Sequence, residues 1–419
     1  MTFPDGFWFG AGASSTVAEG AAPASELAAW EAEGRRTPSG AGTGFADAYV
    51  DDLPLFAAHG LAHLRVTLEW ARLEPTPGHH DSEAVEHLRL VLQAARSAGV
   101  SVWGCLFDAS LPGWFAHDER GFADARSRQY YWARHVEFVG ETFGDLVHGW
   151  MPIFEPTRYA VRGWIDGSRP PGRRDDAEAF ATIVEAVHLA SVDAALRLRQ
   201  DGQPVAAAQW LAPVFPAKPA PDAPAGAEAE VAAGVVDEVL WGCWRRMLTE
   251  ETLVVPGRPP VSIPGARTAF DVLGLTYRHA IAVRGDGVLL PYPQHTDLGP
   301  DGQVPWAEGL GLALHHVAES LPDHPLLIAG YGRAFADPTD QAEHLRDGLA
   351  IAEEAVEGGI DLRGFWWETP VDPPPMTAPD PAEGGDGPGA GPGLFAADRT
   401  PRPSADLLAS IAAGDPLPS

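Results

Sequence analysis

The chain has 419 residues, 45% of them hydrophobic, with 58 Asp and Glu against 29 Lys and Arg and a net charge of −29. That is enough apolar material for a large core, and α/β barrels reach this length as one domain. The acidity is spread along the chain and leaves no basic footprint for nucleic acid or an anionic membrane surface, so neither is expected as a partner.

The opening MTFPDGFWFG lacks the basic region and long apolar region of a signal peptide. Phe7–Ala13 is predicted as a first strand, and Ser14–Gly20 turns out of it with Glu19 near its end. Phe45–His59 has helical spacing of apolar residues and stops at Gly60, a C-cap signal. Leu64–Trp70 is a second strand with Arg65 inside it. A charge in a buried strand needs a partner, so Arg65 is expected either in a structural ion pair or facing a pocket carboxylate. Ser82–Ala98 reads as a helix ended by Gly99, and Val100–Phe107 as a third strand with Asp108 at its carboxyl end. Ser127–Phe143 is a further helix.

Leu146–Pro156, LVHGWMPIFEP, is an apolar run ending in the carboxylate of Glu155. Pro156 cannot donate to a sheet ladder and should stop it. Glu155 is therefore expected at the carboxyl edge of a buried strand, where barrel enzymes keep their chemistry. The alternative is a carboxylate that caps the next helix.

Asp176–Arg199 is a long helix and Val205–Trp210 a fifth strand. Ala212–Ala227 is a Pro/Ala loop expected to hold no regular structure. Glu228–Glu250 is helical, with Trp241 and Trp244 on one face as core residues. Phe270–Tyr277 is a sixth strand, Trp306–Leu321 a helix, and Pro325–Ala329 a seventh strand running into Gly330-Tyr331-Gly332. Asp340–Glu357 is a helix, and Leu362–Trp367 an eighth strand with Glu368 directly after it. Val371–Pro392 is a low-complexity Pro/Gly/Asp stretch, expected as a loop over the pocket mouth, and Thr400–Ala413 closes the chain with a helix.

Cys105 and Cys243, both in apolar surroundings, fit a reducing compartment, and no apolar run nears the roughly 18 residues of a membrane span. A soluble cytoplasmic protein is expected. Eight alternations of strand and helix argue for an α/β fold, a single (β/α)8 TIM barrel with a Pro/Gly-rich loop after strand eight. Its strand ends would gather Glu19, Arg65, Thr67, Glu69, Trp70, Asp108, Glu155, Gln209, Trp210, Thr276, Tyr277, Gly330, Trp367 and Glu368. Carboxylates accept from hydroxyls and aromatic faces cover pyranose C–H faces, so this set suits a sugar. No Cys/His cluster has metal spacing and no Gly-rich loop follows a strand, so no metal or cofactor is expected.

FPDGFWFGAGASSTVAEG, YVDDLPLFAAHGLAHLRVTLEWARLEPTPG, LFDASLPGWF, FGDLVHGWMPIFEP, FDVLGLTYR and GLFAADRTPRPS together resemble glycoside hydrolase family 1, the retaining β-glucosidase barrels. The resemblance puts Glu155 on the general acid/base and Arg65 beside the nucleophile. It also implies departures. The nucleophile position carries Gly330, the Gln of the glycone loop is Val17, and the sugar-binding His is Asp108. The Asn before the acid/base is Phe154, the Asn of the Asn-Tyr-Tyr motif is Thr276, and its second Tyr is Arg278. Glu368 replaces the Ser after the eighth-strand Trp, Trp367, and the following Glu-Trp pair is lost in the Pro373–Pro375 region.

A retaining glycosidase needs two carboxyls about 5–5.5 Å apart, and Gly330 supplies none. Ordinary β-glucosidase activity is therefore not expected. Glu155 is the expected acid/base, its proton raised by the apolar Phe154 and Val17, with Asp108 or Glu368 as its catalytic partner. Glu19, Arg65, Trp70, Phe154, Tyr277, Arg278, Gly330 and Trp367 are the expected substrate contacts. Three functions remain open: acid/base chemistry on a small molecule or its glycoside, as in natural-product metabolism; an inverting glycosidase whose water sits in the space left by Gly330; and a non-catalytic binding protein.

Overall fold

The computed structural model describes residues 3–199, 202–220, 224–373 and 391–418. Most of the stretch expected as a loop over the pocket mouth, 374–390, lies outside the described residues. Eight parallel strands carry the fold: β1 (Trp8–Gly12), β2 (His63–Thr67), β3 (Ser101–Phe107), β4 (Gly149–Ile153), β5 (Ala206–Trp210), β6 (Val272–Thr276), β7 (Leu326–Tyr331) and β8 (Leu362–Trp367). Their spatial order is β4-β3-β2-β1-β8-β7-β6-β5. Single bridges Trp150–Val205 and Phe154–Ala208 join β4 to β5 and close the ring. The alternation read from the sequence thus produces the barrel.

The helices that matter for the site and its surroundings include α1 (Phe45–Ala58), α2 (Ser82–Ala98), α3 (Ala133–Phe143), α4 (Pro156–Trp164), α5 (Ala177–Leu198), α6 (Cys243–Glu250), α7 (Glu308–Ser320), α8 (Pro338–Glu357) and α9 (Pro403–Ala412). Local chemistry marks their ends. Asp81 accepts from the amides of Glu83 and Ala84 to open α2, and Gly99 closes it at φ 79°. By length and composition α5 could cross a membrane, but most of it is buried in this barrel.

Two layers of core follow from strand alternation. Trp103, Cys105, Met151, Phe154, Ala206, Ala208, Val272, Leu327, Ala329 and Trp366 fill the barrel interior. Leu64, Val66, Leu273, Leu275, Ile328 and Phe365 point outward and pack in the larger core with the helices.

The Pro/Ala segment differs from expectation. Val214–Pro216 forms a strand parallel to Ala280–Val283, which pairs antiparallel with Leu289–Tyr292. The ladder to a hairpin distant in sequence supplies hydrogen bonds that local composition does not reveal.

Candidate functional site at the carboxyl end of the barrel

Glu155 follows β4 directly and is the residue before Pro156, the first residue of α4. Its backbone sits at φ 50°, ψ 55°, the left-handed region that is unfavourable for a residue with a Cβ. Its amide donates to the Ala208 carbonyl at 2.8 Å, which holds that turn against β5. The side chain makes no cap bond to α4. The turn aims it into the barrel mouth instead, where it accepts from three residues.

Thr276 Oγ1 donates to Glu155 Oε1 at 2.5 Å. Arg278 straddles the same carboxylate, Nε to Oε1 at 2.9 Å and Nη2 to Oε2 at 3.3 Å. Arg158, in the first turn of α4, donates Nη1 to Oε2 at 2.8 Å. Arg278 Nη2 also donates to Glu368 Oε1 at 2.8 Å. One guanidinium therefore bridges two carboxylates, and its shared nitrogen holds the two bonded oxygens no more than about 6 Å apart.

The position facing Glu155 from β7 is not empty. A β-bulge in β7, seen as register shifts against β6 and β8, turns Gly330 toward the pocket. A Cβ at Gly330 would lie 2.5 Å from Glu368 Oε2 and 3.1 Å from Thr276 Cγ2. The space expected to hold a water thus holds the carboxylate of Glu368, reaching over from β8.

The electrostatics also reverse an expectation. Burial alone would raise the Glu155 carboxyl, as expected from its apolar neighbours. The charges of Arg278 and Arg158, with hydrogen bonds from Arg278 and Thr276, outweigh burial and hold it well below the usual carboxylate range. Glu368 goes the other way: burial and the neighbouring Glu155 charge raise it, with Arg278 and Arg65 opposing. His279, beside Arg278, is pushed down to about 3 by burial and by Arg333, Arg158 and Arg278, so its ring is neutral.

Arg65 lies inside the barrel and is paired with Asp108, with its guanidinium 3.6 Å from the centre of the Phe154 ring. Both alternatives for Arg65 meet here, since its structural ion-pair partner is the strand-end acid. Asp108 accordingly faces a guanidinium rather than Glu155. Glu19 sits 3.4 Å from Arg72 Nε and lines a separate small cavity with Arg65. Burial raises the Glu19 carboxyl against the charges of Arg72 and His87.

Three aromatic residues expected as substrate contacts point elsewhere. Trp70 is fully buried, stacked on His135 at 4.5 Å and bonded through Nε1 to Glu74. Tyr277 points outward between the strand ends and α7, its hydroxyl donating to the Trp306 carbonyl at 2.6 Å. Trp367 is buried against Tyr331 and donates to the Pro392 carbonyl at 2.7 Å. Period-two alternation explains two of these: Thr276 and Arg278 face inward, so Tyr277 cannot, and Glu368 faces inward, so Trp367 cannot. Trp70→Ala should therefore cost about 3–5 kcal/mol of stability, as for other buried aromatic truncations. Urea unfolding measures the loss, and ligand binding by the folded fraction should be unchanged.

A cavity of about 490 Å³ opens beside the bridge. Arg158, Arg278, Glu368 and Trp210 line it, as do Leu289, Leu290 and Pro291 of the hairpin that the sequence did not reveal. Glu155 lies behind Arg158 and Arg278. Arg158 was also missed, though its spacing of three from Glu155 on a helix was the available signal.

The first 247 residues match the profile described as Glycosyl hydrolase family 1. A thermostable beta-glucosidase B from Thermobispora bispora is 25% identical over 407 residues, covering 87% of this chain and 82% of that protein. A furcatin hydrolase from Viburnum furcatum is 26% identical over 194 residues, 41% of this chain and 34% of that one. Among solved structures, a beta-glycosidase from Pyrococcus horikoshii superposes with a TM-score of 0.85 at 22% identity, covering 98% of this chain and 95% of that one. A family 1 β-glucosidase from Thermotoga maritima does so at 0.84 and 17%, covering both chains in full. The profile spans more than half of the chain, including β1 through β5 and Glu155, and the barrel continues to its last strand: the chain belongs to glycosyl hydrolase family 1.

Proposed function

We propose that this barrel performs acid/base chemistry on a small molecule or its glycoside, with Glu155 and Glu368 as the working carboxyl pair and no nucleophile from position 330. An ordinary retaining β-glucosidase is not the reading we favour. The observation that carries the proposal is the single guanidinium of Arg278 spanning both carboxylates. Paired carboxyls whose surroundings push their proton affinities apart mark acid and base roles. Glu155 is then the ionised member and Glu368 the one that keeps its proton to higher pH. This exchanges the resting roles that the family resemblance implies.

Entry of a substrate has to move Arg278, because its side chain lies where the pair would face a reacting carbon. Once Arg278 leaves, burial acts on Glu155 unopposed except by Arg158 and Thr276, and its proton affinity rises toward that of a donor. A non-catalytic binding role is the second reading, favoured by the same bridge, which leaves both acids neutralised at rest. Two buried free cysteines, Cys105 and Cys243, support an intracellular setting, where a biosynthetic role would fit.

A panel of neutral and anionic nitrophenyl glycosides, with anomer analysis of the product, tests the proposal on the full chain. Glu155→Gln and Glu368→Gln should each lower turnover by about 10²–10⁴-fold. Unchanged turnover in both would remove the catalytic reading, and ligand binding without any turnover would favour the second.

A further inference from the structure

We infer that the cavity beside Glu368 takes a small molecule bearing an anionic group, a carboxylate or a phosphate, and that this group draws Arg278 off the carboxyl pair and replaces Glu368 as its partner. The inference deepens the proposed function and rests on it for the location of the substrate. Across the whole chain acids outnumber bases 58 to 29. Among the described residues the cavity wall inverts that balance: five arginines, Arg158, Arg162, Arg174, Arg278 and Arg333, stand with three acids, Asp166, Asp301 and Glu368.

The arginines differ in what they hold. Arg333 is committed to the loop before α7, donating to the Val304 and Gln303 carbonyls and to Asp301, so it shapes the cavity floor. Arg174 stands exposed at the rim. Arg278 is the one that can exchange partners. It is shared between two carboxylates, and Glu368 contributes a single bond to it. Burial and the Glu155 charge raise the Glu368 carboxyl, so Glu368 can give up Arg278 by taking a proton when a ligand anion pairs with the guanidinium. A planar guanidinium takes a carboxylate or phosphate through two parallel bonds, which the single contact to Glu368 does not supply. The neutral His279 and the largely apolar Trp210, Leu289 and Leu290 line the cavity on the side of Arg278.

Isothermal titration at low salt with three probes tests this: D-glucuronate, glucose 6-phosphate and neutral glucose. At least one anionic probe should bind about tenfold or more tightly than glucose, as a charge-assisted pair predicts. The arm that binds distinguishes carboxylate from phosphate. Arg174→Gln, at an exposed position, should weaken that binding about threefold or more. Glu368→Gln should tighten it, because the competing negative charge on Arg278 is then removed. Glucose binding as tightly as both anions, or an anion affinity unmoved by both variants, overturns the inference. If the anions fail to bind while Glu155→Gln and Glu368→Gln still abolish turnover, this inference alone falls. If an anion binds as described while those variants keep full turnover, the acid/base reading alone falls.

Discussion

Replacing Arg278 with methionine should lower the unfolding free energy by about 3–5 kcal/mol at neutral pH, the loss seen when one partner of a buried ion pair is removed. Arg278 joins two carboxylates whose side chains are only 6% and 18% exposed, and without it they face each other with no shared cation. The pH dependence follows from the two carboxyls. Glu155 is depressed in the folded protein, so its contribution is present above the unfolded value near about 4.3 and disappears as pH falls through the folded value. Glu368 is raised, so its contribution is full below the unfolded value and is lost as pH rises through the folded one. In Arg278→Met the depression of Glu155 is relieved and both carboxyls shift up. The deficit should therefore shrink on acidification below about pH 5 and deepen toward pH 8. Adding Glu368→Gln should recover part of the loss. Urea unfolding at both pH values provides the measurement; a deficit under about 1 kcal/mol at neutral pH would mean that the bridge behaves as a surface pair.

Putting glutamate at position 330 should by itself restore no β-glucosidase activity. Its Cβ would stand 2.5 Å from Glu368 Oε2, and its carboxylate would join two others around one guanidinium. For the same reason azide or formate, which act in nucleophile-deleted glycosidases by filling the vacated space, should not accelerate hydrolysis by the natural chain. The combined variant Gly330→Glu, Glu368→Ser and Arg278→Tyr removes the occupant and the bridge together. It should hydrolyse nitrophenyl β-glucoside with retention, about 10²-fold or more above the natural chain. Val17 and Asp108, at positions where the family resemblance implies glycone ligands, should keep the Michaelis constant of that variant high. If Gly330→Glu alone gives retaining activity, Glu368 does not hold that space in solution.

Much of the site could be read from residue types at strand ends. Glu155 before Pro156, Glu368 after Trp367 and Arg278 after Tyr277 were all legible, because eight strand signals defined where a pocket edge would lie. The face each residue presents was less legible. Trp70, Tyr277 and Trp367 were assigned to the pocket as aromatics near strand ends, yet the inward positions of Thr276, Arg278 and Glu368 exclude the last two on alternation alone. Gly330 went the opposite way. Strict alternation from Leu327 and Ala329 would have turned it outward, and the bulge in β7 brings it in.

Residue order by itself determined the barrel. Eight apolar strand signals separated by amphipathic helices have one economical way to bury both faces of a parallel sheet, and that pattern is local enough to read. Only the folded chain decided the charge state and occupancy of the mouth. Arg158, Arg278 and Glu368 come from three separate elements, and whether burial or a guanidinium governs Glu155 depends on distances of a few ångströms that no local pattern encodes.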